Sequence, residues 1–156
     1  MNIIDRRLSE PRFAAYGALA LRLGLGVVFL AHALLKLLVF TLPGTAQFFD
    51  AHGLPGWSAY PVFVIELIGG AMLLAGLHSR IAALALVPVM IGAAAVHAPN
   101  GWMFTAPNGG WEYAAFLVVV LIAHALLGPG ALAASAGVAP ASAGSPRLTA
   151  AGAAGT

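Results

Sequence analysis

The side chains that could carry chemistry are ionisable residues that lie inside long apolar segments of this 156-residue chain. A charge near the centre of a bilayer costs about 2.5–3.5 kcal/mol on insertion scales, so such residues usually pair with one another or line a wet cavity. Lysine and histidine can donate hydrogen bonds to a ligand, and glutamate can relay protons. We predict one polar pocket, with Arg22 deeper in the molecule, from His32, Lys36, Glu66, His97 and Glu112.

The spacing of these residues predicts how they meet. His32 and Lys36 are four residues apart and are therefore neighbours on one face of a helix. Arg22 lies about 40° from that stripe at 100° per residue, in the opposite half of the same segment. Glu66 is short and lies in mid-segment, so we predict that it faces other helices and pairs with Lys36 or, alternatively, with His32.

Each of these residues also has a purely structural interpretation. Lys36 and Arg22 can extend their long side chains to the membrane surface. Glu112 can be a first-turn carboxylate that favours a helix dipole, and His97 can be an interfacial histidine. No HxxxH, HExxH or ExxH spacing is present, so we predict no metal site. No glycine-rich nucleotide motif is present either.

The composition identifies the environment of these residues. Hydrophobic residues make up 61% of the chain and charged residues 8%, whereas a soluble domain carries about 25% charged residues. The mean hydropathy is +0.94. This composition excludes a soluble globule, a nucleic-acid binder and a disordered chain, and it indicates an integral membrane protein in a lipid bilayer. There are no cysteines, which excludes disulfides, iron–sulfur clusters and thiolate metal sites.

Four apolar segments approach the roughly 20 residues that a membrane-spanning helix needs. They are rich in Ala and Leu and lack the alternation of a membrane β-barrel, which favours helices. We predict an all-α, four-helix transmembrane bundle over residues 13–130, with spans at about 13–40, 58–77, 81–97 and 111–127. Residues 1–12 form an N-terminal segment in this prediction, and residues 131–156 form a flexible tail rich in Ala, Gly, Ser and Pro.

The arginines outside the apolar cores predict the orientation. With four spans, both termini and the 78–80 turn share one side of the membrane. All five of these arginines lie there, while the 41–57 and 98–110 loops contain no Lys or Arg. The positive-inside rule therefore places both termini in the cytoplasm. The five residues are Arg6, Arg7, Arg12, Arg80 and Arg147.

The tryptophans all fall on the opposite, outer side, at Trp57, Trp102 and Trp111. Tryptophan favours the headgroup zone, where the ring is buried and the polar edge stays wet. Two interpretations follow. The rings form an interfacial aromatic belt, or some of them wall a site that opens outward.

Several short strings, in this order and spacing, resemble the DoxX family of small bacterial membrane proteins. The resemblance covers about residues 18–132. Two departures are Ala33, where the family often has Gly, and Ala131, where it often continues with a basic residue. The strings are Leu21-Arg22-Leu23-Gly24, Ala31-His32-Ala33-Leu34-Leu35-Lys36-Leu37, Phe48-Phe49, Gly53-Leu54-Pro55, Glu66-Leu67-Ile68-Gly69-Gly70, Leu74-Ala75-Gly76-Leu77, Arg80, His97, Gly110-Trp111-Glu112-Tyr113 and Gly128-Pro129-Gly130.

The resemblance implies a multi-pass protein of the bacterial cytoplasmic (inner) membrane. Some relatives are subunits of thiosulfate:quinone oxidoreductase, and others belong to oxidative-stress complexes with soluble redox partners. We therefore expect a quinone-linked redox protein or the membrane subunit of a redox complex, with no cofactor of its own, a redox partner subunit and the option of a homo-oligomer. The alternative is a non-enzymatic membrane anchor or scaffold. A solute or proton pathway is a further alternative, for which four short helices leave little room.

Overall fold

The computed structural model describes residues 11–135, and this part of the chain consists of helices joined by turns and loops, without a strand. The predicted all-α class is confirmed. The segment predicted at 1–12 and the tail predicted at 131–156 lie largely outside the described residues. The five α-helices are α1 (Pro11–Leu38), α2 (Leu42–Ala51), α3 (Ala59–Ala75), α4 (Ser79–His97) and α5 (Glu112–Leu127), with short 3-10 helices at Gly56–Ser58 and Ala98–Asn100.

The four longer helices, α1, α3, α4 and α5, pack around one apolar core. Each contacts its neighbour in the order α1, α3, α4, α5, and α5 returns to contact α1. We call the end of the molecule that carries α2 and residues 98–111 the outer end. The end that carries the α3–α4 turn and residues 128–135 is the inner end. The fully buried core side chains include Phe29, Leu73, Leu86 and Leu121.

Three helical regions are long and apolar enough to cross a membrane: Arg12–Leu38, Gly56–Ala75 and Ser79–Asn100. The chain is therefore a multi-pass membrane protein. The remaining long helix, α5, is apolar but has 16 residues. It rises about 24 Å, while the hydrocarbon core of a bilayer is about 30 Å thick.

A ten-residue helix, α2, occupies much of the segment that sequence reasoning treated as the 41–57 loop. Pro43 lies in the first turn of α2, where proline is well tolerated because its missing N–H has no partner to lose. The Thr41 hydroxyl caps α2 by accepting a hydrogen bond from the Gly44 N–H at 3.2 Å. At the other end, Asp50 Oδ1 accepts a hydrogen bond from the Gly56 N–H at 2.7 Å and ties α2 to the start of the next element.

Facing glycines let α1 and α3 approach closely. A Cβ atom on Gly70 would lie 2.9 Å from the Leu30 nitrogen and 3.2 Å from the Gly26 oxygen. Because those atoms belong to the backbone, a larger residue would force the two helices apart. Near the inner end, Arg22 of α1 contacts Gly76 at the end of α3, so the two helices run antiparallel.

Candidate functional site

Glu66 and Lys36 form the ion pair that the sequence predicted. The Lys36 Nζ donates to Glu66 Oε1 at 2.9 Å and to Glu66 Oε2 at 2.7 Å. Glu66 is 1% exposed, so its carboxylate is almost completely removed from solvent. A buried carboxylate of this kind needs a partner, because leaving it alone in an apolar environment is strongly unfavourable.

The direction of helical side chains explains how this pair forms. Gly26 of α1 lies beside Gly70 of α3, and because the helices are antiparallel, Leu30 lies at the same depth as Glu66. The backbone of Lys36 is six residues, about 9 Å, closer to the outer end. Side chains on a helix lean toward its N-terminus. Lys36 therefore leans inward along α1 and Glu66 leans outward along α3, so the two side chains meet between their backbone positions.

The pair borders a cavity of about 800 Å³ that is lined by residues from all five helices. Its wall is mainly apolar, and the ion pair gives it a polar region. The structure brings four of the five predicted pocket residues to this cavity, namely His32, Lys36, Glu66 and His97. The aromatic side chains in the wall are Phe29, Phe40, Phe48, Phe49, Phe104 and Tyr113.

Both histidines in this wall are held by backbone carbonyls. The His32 Nδ1 is 2.8 Å from the Val28 oxygen, and the His97 Nδ1 is 3.1 Å from the Asn108 oxygen. A carbonyl oxygen only accepts, so Nδ1 carries the proton in each ring. In the neutral imidazole, Nε2 therefore has a free lone pair and can accept a proton or a hydrogen bond.

Comparison with known proteins assigns the family. The DoxX family model matches residues 17–99, which is more than half of the chain. The chain belongs to the DoxX family. A Bacillus subtilis (strain 168) protein named "Putative oxidoreductase CatD" is 42% identical over 77 residues, which are 49% of this chain and 56% of that protein. No solved structure matches the chain.

The DoxX match covers α1 from residue 17 onward, all of α2 to α4 and the four predicted residues that line the cavity. It ends at residue 99, so most of the loop at residues 98–111 and all of α5 lie outside it. The chain spans just over half the length of the curated relative. The family therefore accounts for the helices that form the ion pair, while α5 closes the fourth side of the core.

Glu112 and the tryptophans are not part of the cavity wall. The Glu112 Oε2 instead accepts a hydrogen bond from the Phe104 N–H at 3.2 Å and braces the outer loop. Trp102 and Trp111 pack edge to face with ring centroids 4.5 Å apart, and Trp57 is 71% exposed. Among the residues described, these positions favour an interfacial belt over aromatic walls.

A second polar cluster lies at the inner end, where sequence reasoning placed only Arg22. The Arg22 Nη2 donates to the carbonyl oxygens of Ala131 and Leu132 at 3.3 and 3.4 Å. Arg22 is 1% exposed, and its Nε and Nη1 have no hydrogen-bond partner within the described part of the chain. Both nitrogens of His124 and the Ser79 hydroxyl are likewise buried without a partner there.

The inner cluster fixes the start of the predicted tail against the helices. The Ala131 N–H donates to the Ala15 oxygen at 2.9 Å, and the Ser135 hydroxyl donates to the Gly76 oxygen at 2.9 Å. Residues 131–135 therefore pack on the molecule. Within residues 11–135, no three His, Asp or Glu side chains are grouped to hold a metal ion.

Proposed function

We propose that this DoxX protein binds the head group of a quinone in the 800 Å³ cavity and serves as the membrane subunit of a redox complex. The cavity itself is the observation that carries the proposal. A quinone joins a small polar ring to an apolar tail, and ligand sites are mostly apolar cavities with a few placed polar groups. The wall combines aromatic side chains with the Lys36–Glu66 pair and two histidines.

Lys36 is the proposed donor to a quinone oxygen. Its ammonium group has three N–H bonds, and Glu66 accepts two hydrogen bonds from it. One N–H is left for a ligand. Because Glu66 holds the ammonium at the cavity wall, little side-chain freedom would be lost when the ligand binds.

His32 is the proposed acceptor on the same ligand. Its Nδ1–H is committed to the Val28 oxygen, so the neutral ring offers the Nε2 lone pair. That nitrogen suits a quinol hydroxyl, from which it can take a proton. Lys36 and His32 lie four residues apart on α1, so one helix would present both a donor and an acceptor.

The electrons require a partner. The chain has no cysteine for an iron–sulfur cluster or thiol chemistry. We therefore propose a partner protein or a soluble reductant as the source of electrons, in keeping with the word oxidoreductase in the name of the Bacillus subtilis relative.

We further propose that α5 crosses the membrane, making a four-helix transmembrane bundle with both termini in the cytoplasm of a bacterial cell. A helix shorter than the bilayer is accommodated by local thinning of the bilayer and by flanking residues. Support comes from its packing along α4 over the shared core. The orientation follows from the arginines, as argued above.

A matched pair of glycine variants tests the quinone site. A Cβ atom added at either Gly92 or Gly24 meets no atom within 4 Å, but only Gly92 lines the cavity. Protein purified with native lipids should contain quinone detectable by mass spectrometry. Gly92→Phe should lose it because the new ring occupies the cavity, and Gly24→Phe should keep it. Quinone retained by Gly92→Phe would place it elsewhere, and wild-type protein without quinone would favour the anchor or scaffold alternative.

A further inference from the structure

We propose that His97 passes protons between the cavity and water at the outer end, so that a quinone in the cavity exchanges its protons with that side of the membrane. This inference rests on the proposed quinone site. It adds a route and a proton-relay residue to that site.

A second, smaller cavity carries the argument. It has a volume of about 270 Å³ and is lined by Phe48, His52, Val96, His97, Asn100 and Asn108. Three of these residues, Phe48, Val96 and His97, also line the larger cavity. The smaller cavity therefore adjoins the larger one at the outer end, and we call it the vestibule.

His97 is the one titratable residue that lines both cavities in the described part of the chain. A proton that crosses the shared wall on a protein side chain would therefore use this ring. The other titratable groups in the larger cavity are His32, Lys36, Glu66 and Tyr113, and His52 is the other one in the vestibule.

The surroundings of His97 hold its ring for this role. Its Nδ1 donates to the Asn108 oxygen at 3.1 Å. The Asn100 side chain donates to the same oxygen at 3.2 Å and to the Gly109 oxygen at 2.8 Å, which braces the loop. The Nε2 lone pair is free to take a proton, and the protonated ring can release one to water or to the next group.

His52 repeats this arrangement in the vestibule. Its Nδ1 donates to the Phe48 oxygen at 2.7 Å, and its ring lies 4.0 Å from the Phe48 ring. Phe48 separates the two cavities together with His97. His52 and His97 therefore both border the vestibule, where each ring can exchange protons with water, and His32 or Glu66 can receive protons inside the cavity.

The reaction balances as a two-electron reduction. A quinone accepts two electrons from a partner protein or a soluble two-electron reductant and two protons from the outer side. Its two C=O groups become C–OH groups, with one new O–H bond at each oxygen. The reverse reaction returns two protons through His97 to the outer side.

Chemical rescue tests the relay. Purified protein is loaded with a short-chain benzoquinone and mixed with dithionite, and the rate of reduction of the bound quinone is followed by its absorbance. His97→Ala should slow this rate by about tenfold or more, since a positioned acid–base group typically contributes at least that much. Added imidazole should restore the rate. The control is His78→Ala, an exposed inner-end residue that should leave the rate unchanged.

Binding of the quinone is measured separately in each variant, so the two proposals can fail separately. The relay is overturned, while the quinone site stands, if the His97→Ala variant binds the benzoquinone and the bound quinone is reduced at the wild-type rate. The same conclusion follows if the reduction is slower and imidazole does not restore it. If wild-type protein binds no benzoquinone, both proposals are overturned. His97→Asn, whose side-chain amide places an N–H donor near the position of Nδ1 for the Asn108 oxygen, should fold normally and still be slow.

Discussion

Glu66 has one charged partner among the described residues, the Lys36 ammonium, and almost no contact with solvent. Glu66→Gln leaves that ammonium unpaired, and breaking a buried pair costs about 3–5 kcal/mol of unfolding free energy. Lys36→Met should cost a similar amount for the complementary reason. Replacing both residues, as Lys36→Met with Glu66→Leu, should cost much less than the sum of the two single changes.

A double-mutant cycle of unfolding free energies in detergent micelles measures this coupling. Losses that add would show that the 2.7 Å contact contributes no net interaction. Quinone content distinguishes structure from function in the same variants. If the pair also binds the ligand, the double variant should fold and yet contain less quinone than wild type.

The sequence predicted the residues that line the cavity better than the position of Glu112 beside the loop at the outer end. The four-residue spacing of His32 and Lys36 and the cost of an unpaired Glu66 were enough to predict the ion pair, which the structure contains. The position of Glu112 depends on the backbone of the outer loop, where its own N–H bonds to the Trp102 oxygen at 3.1 Å. No periodic pattern encodes such a contact.

The inner cluster was missed for a related reason. The Nη2 group of Arg22 donates to carbonyl oxygens 109 and 110 residues away, in a stretch whose composition suggests a free tail. His124 has the sequence context of an ordinary apolar helix. One feature of the sequence could have indicated this cluster: Arg22 lies in an apolar helix with no carboxylate nearby in the sequence. Another segment therefore had to supply the hydrogen-bond acceptors for its guanidinium.

Arg22 should hold residues 131–135 at the inner end. Arg22→Ala removes the donor to the Ala131 and Leu132 oxygens, so that segment should separate from the helices more often. A single cysteine that replaces Ala133, which is 7% exposed, should then react with a maleimide several times faster than the same cysteine does in protein that retains Arg22. The neighbouring Ala134→Cys, exposed in the structure, should react at one rate in both backgrounds.

At the scale of elements, the contact between α1 and α3 depends on Gly26 and Gly70. Gly70→Ala would place a methyl group 2.9 Å from the Leu30 nitrogen, and the helices would have to separate. Such overpacking typically costs about 1–3 kcal/mol of unfolding free energy. Separation would also weaken the Lys36–Glu66 pair, so the quinone content should fall together with stability.

Gly24→Ala on the same helix is the matched control. Nothing lies within 4 Å of the added methyl group, and alanine favours a helix over glycine by up to about 1 kcal/mol. This variant should be as stable as wild type or slightly more stable. Equal losses from the two variants would mean that the close approach of α1 and α3 does not limit stability.

Predicted and observed helices agree where the apolar segments are long. They differ where a short helix is stabilised by a few polar contacts. α1 extends over Pro11–Leu38, close to the predicted span at 13–40. α2 was missed because Pro43 and Gly44 are typical of turns, whereas the Thr41 cap and the Asp50 contact stabilise a helix there. Short helices of this kind depend on tertiary contacts rather than on their own propensity.

At the scale of the whole molecule, the two ends differ in charge. The inner end contains Arg80, whose Nη1 donates to the Ala125 oxygen at 3.1 Å, and the buried Arg22. Residues 41–57 and 98–110 at the outer end contain no Lys or Arg. The proposed quinone cavity and its vestibule therefore lie at the end that the positive-inside rule assigns to the outside of the cell.

Single cysteines in this cysteine-free chain test that assignment. Ala51 and His78 are both exposed in the structure and lie at opposite ends. Ser79, beside His78, is only 2% exposed, so a cysteine there would stay unlabelled because it is buried, whichever side of the membrane it lies on. In intact cells, an impermeant maleimide should label Ala51→Cys and should label His78→Cys only after permeabilisation. Ala134→Cys follows α5 and is also exposed, so it should behave like His78→Cys if α5 crosses the membrane. Labelling of His78→Cys from outside would invert the orientation and would direct the proposed proton route toward the cytoplasm.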